Sequence, residues 1–261
     1  MSIGLHFQDV TRVFTKRGRA VEAVGPVNLE IRPSEFVAIV GPSGCGKSTL
    51  LNMAAGLLKP TSGTVQAGDK QITGVNVRAA YMTQHDSLLP WRTVEKNVML
   101  PLEIRNTEKS SRQKIVDDAL KMVNLDSAFA RSYPSELSGG MRKRVAMARL
   151  LIAQPDFFFM DEPFSALDPQ IRLIMHKEFL DLWATTNTTV ILVTHDLQEA
   201  ISLADRVVVM SGRPGRILDI AEIDLPRPRD MMNIQFTERF REIYTNLWDL
   251  MRIDLYRGEN L

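Results

Sequence analysis

One cysteine in 261 residues, Cys45, leaves nothing for it to pair with inside the chain and excludes a disulfide scaffold. Charge of one sign is missing as well. With 32 Lys and Arg against 31 Asp and Glu there is no bulk positive field to hold a polyanion, so no nucleic-acid partner is expected. No apolar run approaches the roughly 18 residues that cross a bilayer. The longest, such as residues 157–160 and 189–193, have the length of buried strands. If the protein works at a membrane, a partner must supply the membrane. The opening Met-Ser-Ile-Gly-Leu-His has neither the charged nor the apolar region of a secretory signal, which makes the cytosol the expected compartment. Internal repeats and low-complexity tracts are also absent. What is present, 44% apolar and 24% charged residues, is the composition of one large globular domain or two small ones.

Residues 5–14 and 21–31 alternate in part and are rich in Val, Leu and Phe, which predicts antiparallel strands joined by a basic turn at 16–19. Residues 36–40 form an unbroken apolar run closed by glycine, and 47–57 carry Leu50, Leu51, Ala54 and Leu57 at helical spacing. A buried strand therefore feeds a helix through a tight loop. Strands are predicted at 63–68 and 79–84, helical texture from 86 to 154, and strands again at 157–160, 190–193 and 207–210. Helices are expected at 169–185 and 196–204 between them. Such alternation implies a parallel sheet with its ligand edge at the carboxyl ends of the strands. A last strand or two reaches residue 226, and Phe236, Phe240, Ile243, Tyr244, Leu247 and Leu250 predict a closing helix packed on the domain.

The loop Gly41-Pro42-Ser43-Gly44-Cys45-Gly46-Lys47-Ser48-Thr49 matches G-x-x-x-x-G-K-[ST] between a predicted strand and a predicted helix, the context this phosphate-binding motif requires. Glycines let consecutive N–H groups converge on the phosphates of a nucleoside triphosphate, and the helix start adds its positive end. Lys47 is expected to bridge the outer phosphates and Ser48 to place its hydroxyl on Mg²⁺, which prefers oxygen ligands. Cys45 is expected to contribute its backbone alone. Downstream, the apolar run 157–160 ends in Asp161 and Glu162. One acid then lies beside the metal and the next where it can deprotonate the attacking water, so Asp161 is the candidate metal residue and Glu162 the candidate base.

Leu137-Ser138-Gly139-Gly140-Met141 precedes a helical stretch and makes a second anion-binding helix start, or simply a helix cap. In order and over residues 1–225, these motifs resemble the ATP-binding subunits of ATP-binding cassette (ABC) transporters. The carriers of the resemblance are the phosphate loop, Gln84 after a strand, the Leu-Ser-Gly-Gly segment, the strand end at Asp161 and Glu162, Ser165-Ala-Leu-Asp168, and His195 after Val193-Thr194. The resemblance implies an α/β P-loop NTPase fold: a mixed central sheet with an antiparallel β subdomain and an inserted helical subdomain. Residues 1–85 and 156–225 would form a RecA-like core with the antiparallel part, 86–155 the helical subdomain, the ATP-binding domain extending to 230, and 231–261 a helical tail.

For the site, the resemblance implies that Ser138, Gly139 and Gly140 act on the triphosphate of a second copy, so that a homodimer sandwiches two MgATP. Gln84 would sense Mg²⁺ and the water, Asp168 communicate across the dimer, and His195 steady the terminal phosphate. Phe14 stands where the family stacks an aromatic, usually tyrosine, on adenine; a core phenylalanine is the alternative. Met141 replaces the commoner glutamine. His195 precedes Asp196, which has capping-box spacing to Glu199. The apolar loop Leu88-Leu-Pro90-Trp91-Arg92 either packs the helical part or forms a groove for a helix of another protein, and in the family this region receives the membrane subunits.

The strings Val209-Met-Ser-Gly-Arg-Pro-Gly-Arg216 and Leu225-Pro-Arg-Pro-Arg229 look most like the bacterial nitrate, sulfonate and taurine importers. The implied protein is an ATP-hydrolysing translocase subunit, peripheral on the cytoplasmic face of the bacterial inner membrane. Two transmembrane permease subunits and, indirectly, a solute-binding protein would be its partners. The alternative is a non-transport cassette ATPase acting on nucleic acid or the ribosome, whose paired cassettes, coiled-coil insertions and zinc modules are missing here.

Overall fold

The unbroken apolar runs make the centre of the molecule in the computed structural model, which describes residues 3–16 and 18–258. Phe36–Val40 (β3), Phe157–Asp161 (β7), Thr189–Val193 (β8) and Arg206–Met210 (β9) lie side by side. With Ala79–Met82 (β6) and Ile217–Glu222 (β10) they form a six-stranded sheet in the order β10-β9-β3-β8-β7-β6. All its pairings are parallel except β10 against β9. Every residue of β3, β8 and β9 is buried, because both faces are covered, and so these strands show continuous Val, Ile and Leu rather than alternation.

A second, antiparallel sheet has the order β2-β1-β4-β5, from Leu5–Lys16 (β1), Arg19–Ile31 (β2), Ser62–Ala67 (β4) and Lys70–Gln71 (β5). The pairs Leu5↔Ile31 and Phe7↔Leu29 set its register. One face is wet, hence the alternating burial at the end of β2. Its inner face packs with Val37, Ile39, Leu50 and Leu51 in one core, while the helices cover the opposite face of the large sheet in another. Residue 17 of the expected basic turn and residues 259–261 of the expected tail lie outside the described residues.

The helices are Lys47–Ala54 (α1), Val94–Ile104 (α2), Lys109–Met122 (α3), Gly139–Ile152 (α4), Pro169–Ala184 (α5), Leu197–Leu203 (α6) and Glu238–Gly258 (α7). The first ends at Ala54 rather than continuing to 57, since Gly56 turns left-handed at φ 67°. The stretch 86–154 is not helical throughout; α2 starts only at Val94, and two short 3₁₀ turns separate α3 from α4. Of the expected last strand or two, the described residues after 212 form one, β10. As expected, α7 buries Phe240, Ile243 and Leu247, and it packs on α6. Since β3, β6, β7, β8 and β9 run parallel, the loops that follow them gather at one edge.

Candidate functional site

Between β3 and α1 the chain makes a glycine turn whose geometry few residues permit. Gly46 caps α1 at φ 106°, and a Cβ there would stand 2.8 Å from both the Ala23 carbonyl oxygen and Val24 Cγ2. No side chain caps α1, so the orphan N–H groups of its first turn are left facing the loop. Lys47 is only 5% exposed. Its ammonium donates to the carbonyls of Gly41 (2.8 Å) and Pro42 (2.9 Å), which positions the charge inside the turn. Cys45 is buried, and burial pushes its thiol up against the opposing pull of the Lys47 charge.

Ser48 Oγ donates to Asp161 Oδ1 at 2.8 Å, so the phosphate-loop hydroxyl and the strand-end carboxylate meet. Burial raises the Asp161 pKa and the neighbouring Glu162 charge adds to this, while hydrogen bonds from Ser48 and Tyr81 pull it back. Tyr81 OH donates to Asp161 Oδ2 at 3.4 Å, and burial followed by the Asp161 charge raises the phenol. Tyr81 was invisible in the sequence: it is an ordinary strand residue until β6 and β7 pair at Tyr81↔Phe159.

Glu162 sits just past β7 at φ 47°, fixed by its N–H to the Val193 carbonyl at 2.8 Å. Its Oε2 lies 3.0 Å from His195 Nδ1. Ser165 Oγ donates to the Glu162 carbonyl at 2.9 Å and accepts from Gln84 Nε2 at 3.3 Å. Gln84, Glu162 and His195, from three different loops, are thus joined in one hydrogen-bonded chain. The capping-box spacing at 196–199 is half realised. Asp196 accepts from the N–H groups of Gln198 and Glu199, whereas the Glu199 carboxylate turns inward to His176 on α5 at 2.8 Å.

Ser43, Gly44, Gly46, Lys47, Ser48, Thr49 and Glu162 line one cleft of about 490 Å³. Phe14, Val21 and Ala23 form its apolar part, with Arg213 at the rim. Phe14 is 37% exposed and therefore no core residue; Arg12 stacks on it with its guanidinium carbon 4.6 Å from the ring centroid. Gly41, Pro42 and Cys45 do not line the cleft, and the Gly41 and Pro42 carbonyls instead accept from Lys47. Ser138, Gly139 and Gly140 are not among its lining residues either. They begin α4, where Ser138 Oγ accepts from Met141 N, and Gly140 lies against Ile171, near Asp168 at the start of α5. Trp91, 72% exposed, does not pack the helical part.

Fold and loop together define an α/β P-loop nucleotide-binding protein. A family model described as ABC transporter matches residues 24–165. An uncharacterised ABC transporter ATP-binding protein of Methanocaldococcus jannaschii is 45% identical over 249 residues, 95% of this chain and 93% of that one. The chain belongs to the ABC transporter family, as an ATP-binding subunit. The nitrate import ATP-binding protein NrtD of Synechocystis sp. is 42% identical over 222 residues, 85% of this chain and 83% of the relative. The aliphatic sulfonates import ATP-binding protein SsuB of Bacillus cereus is 40% identical over 229 residues, 88% and 90% of the two chains. A solved dimeric ATP-binding cassette in a post-hydrolysis state, bound to ADP and Pi, superposes with a TM-score of 0.75 at 30% identity. That match covers 85% of this chain and all of the other.

Proposed function

We propose that this chain hydrolyses ATP to energise a bacterial importer of a small anion or organic solute, of the nitrate, sulfonate and taurine type. One observation carries the reading. Ser48 bonded to Asp161 at 2.8 Å and His195 bonded to Glu162 at 3.0 Å stand as neighbouring pairs at the mouth of the phosphate loop. The nitrate and sulfonate import relatives, at 42% and 40% identity, support the importer branch.

In this reading the phosphates lie on the N–H groups of Ser43, Gly44, Gly46, Lys47, Ser48 and Thr49 and on the Lys47 ammonium, and the adenine stacks on the free face of Phe14. Ser48 and Asp161 offer hard oxygen donors that suit Mg²⁺, and Gln84 is the further oxygen donor of the reading. Among the described residues no group of three or more His, Cys, Asp or Glu could hold a metal. That fits an ion that keeps several waters and takes other ligands from phosphate. When bound, Mg²⁺ neutralises charge on the phosphates. Glu162 accepts a proton from the water that attacks the terminal phosphorus, and His195 holds that carboxylate and the terminal phosphate in line.

Because residues 138–140 stand outside their own cleft, they serve a second copy, and two chains close around two nucleotides. In this reading the chain divides into a core (1–85 and 156–225), a helical subdomain (86–155) and a tail (231–261), and permease helices dock on the Leu88–Arg92 loop, of which Pro90 and Trp91 are exposed. The protein then acts at the cytoplasmic face of the inner membrane, with two permease subunits and indirectly a solute-binding protein. Glu162→Gln tests the chemistry. It should bind ATP within a few-fold of wild type and lose about 100-fold or more of the hydrolysis rate, by phosphate release. A variant that hydrolyses at the native rate removes Glu162 from the base role.

A further inference from the structure

The loop 211–216, whose Ser-Gly-Arg-Pro-Gly-Arg string played no part in the chemistry above, is bound into the nucleotide cleft. Gly215 N donates to the Ala23 carbonyl at 3.1 Å, and Gly25 N donates to the Gly215 carbonyl at 2.9 Å. The loop also closes on itself, with Ser211 N on the Arg216 carbonyl at 2.9 Å and Arg216 N on Ser211 Oγ at 3.0 Å. It lies so close to the phosphate loop that a Cβ on Gly215 would be 1.9 Å from the Cys45 carbonyl oxygen. Arg213 is therefore presented on a fixed turn rather than on a wandering tip.

Its guanidinium donates from Nη2 and Nε to the Gly44 carbonyl, at 3.0 and 3.3 Å, and among the described residues it has no carboxylate partner. An exposed arginine bonded only to a neutral carbonyl retains unused donors and an uncompensated charge. It does so on the wall of the same cleft of about 490 Å³ that Ser43, Lys47 and Ser48 line. The Lys47 ammonium is already engaged with two carbonyls of its own loop, and Glu162 is the one acid among the lining residues. A second, more accessible cation beside converging N–H groups has the chemistry of a phosphate contact, for which the planar guanidinium fork is suited.

We propose that Arg213 is a nucleotide-binding residue whose guanidinium donates to the phosphate chain of the nucleotide in this cleft. The inference rests on the nucleotide-site reading given above and adds to it a contact from the β9–β10 loop. A strut that merely props the phosphate loop through Gly44 is the competing role, and substitution separates the two. Arg213→Gln keeps an N–H donor for the Gly44 carbonyl without the charge, Arg213→Lys keeps the charge without the fork, and Arg213→Ala removes both.

Calorimetric titration of the full chain with MgATP, alongside thermal melting of the nucleotide-free variants, gives the readout. Arg213→Gln and Arg213→Ala should each weaken binding about tenfold or more, Arg213→Lys should lose less, and melting should stay at the wild-type temperature. Wild-type affinity in Arg213→Gln overturns the proposal in favour of a strut. So does a loss in all three that follows a fall in melting temperature. Absence of MgATP binding by the wild-type chain would overturn the nucleotide-site reading itself, whereas normal binding by wild type and all three variants overturns the Arg213 contact alone.

Discussion

Lys47 shows how a buried residue can still carry a positioned charge. Its ammonium is held by two carbonyls of the loop it serves, so its position is set before any anion arrives. Lys47→Ala should weaken ATP binding about 10- to 100-fold, the scale of a charge-assisted contact, in equilibrium titration; unchanged affinity would contradict the cradle. Asp161 predicts a pH effect of definite sign. Its pKa in the folded chain is raised, chiefly by burial, so the folded state binds more protons than the unfolded one. The penalty is absent below the unfolded pKa and is fully present once pH exceeds the folded one. Asp161→Asn should accordingly melt above wild type at neutral pH, with the gap closing as pH falls through the acidic range. A melting temperature below wild type at neutral pH counts against this. Phosphate-loop and strand-end residues were legible in the sequence because each motif is continuous. Tyr81 and Arg213 were not, since their place at the site comes from pairings with residues far along the chain: the β6–β7 register and the Gly25–Gly215 contact.

At the scale of elements, α6 links the His195 turn to the tail. Asp196 caps its amino end, and Arg229 closes the other, donating from Nη1 to the carbonyls of Ile201, Ser202 and Ala204 at 3.1, 3.0 and 2.8 Å. Burial, with the neighbouring Arg227 charge, lowers the Arg229 pKa to about 10. Arg229→Met leaves those carbonyls without donors and should cost about 2 kcal/mol, or about 4 to 8 °C in thermal melting; a melt within a degree of wild type would show that water replaces the guanidinium. The sequence held Arg229 only within a short Leu-Pro-Arg-Pro-Arg string, with nothing to say that it caps a helix. The central strands were readable, because both of their faces are covered and their apolar runs are unbroken. The two-residue β5 was not, having no periodicity to read; its pairing depends on β4. Helix α7 was legible from its spacing alone, while α1 and α2 kept their identity but not their limits.

For the whole molecule, the loops from five parallel strands share one edge, and the second glycine-led helix start lies away from the cleft they form. In the proposed reading, one chain therefore leaves its nucleotide site incomplete. On the same proposed reading, coupling to transport depends on ATP binding the closed pair of chains more tightly than the open one, since equal affinity would shift nothing. Trp91 is exposed, and if its loop docks to a membrane subunit as proposed, affinity purification of the chain from bacterial membranes should bring down a multi-spanning protein; recovery of ribosomes or DNA instead would favour the non-transport class. The pairing of chains itself had a sequence trace only as a surplus anion-binding helix start, whose purpose a single chain does not explain. Sedimentation of Glu162→Gln with and without MgATP measures that pairing directly. The account predicts a monomer without nucleotide and a dimer with it, abolished by a bulky substitution at Gly139; a variant that binds MgATP and yet sediments as a monomer contradicts it.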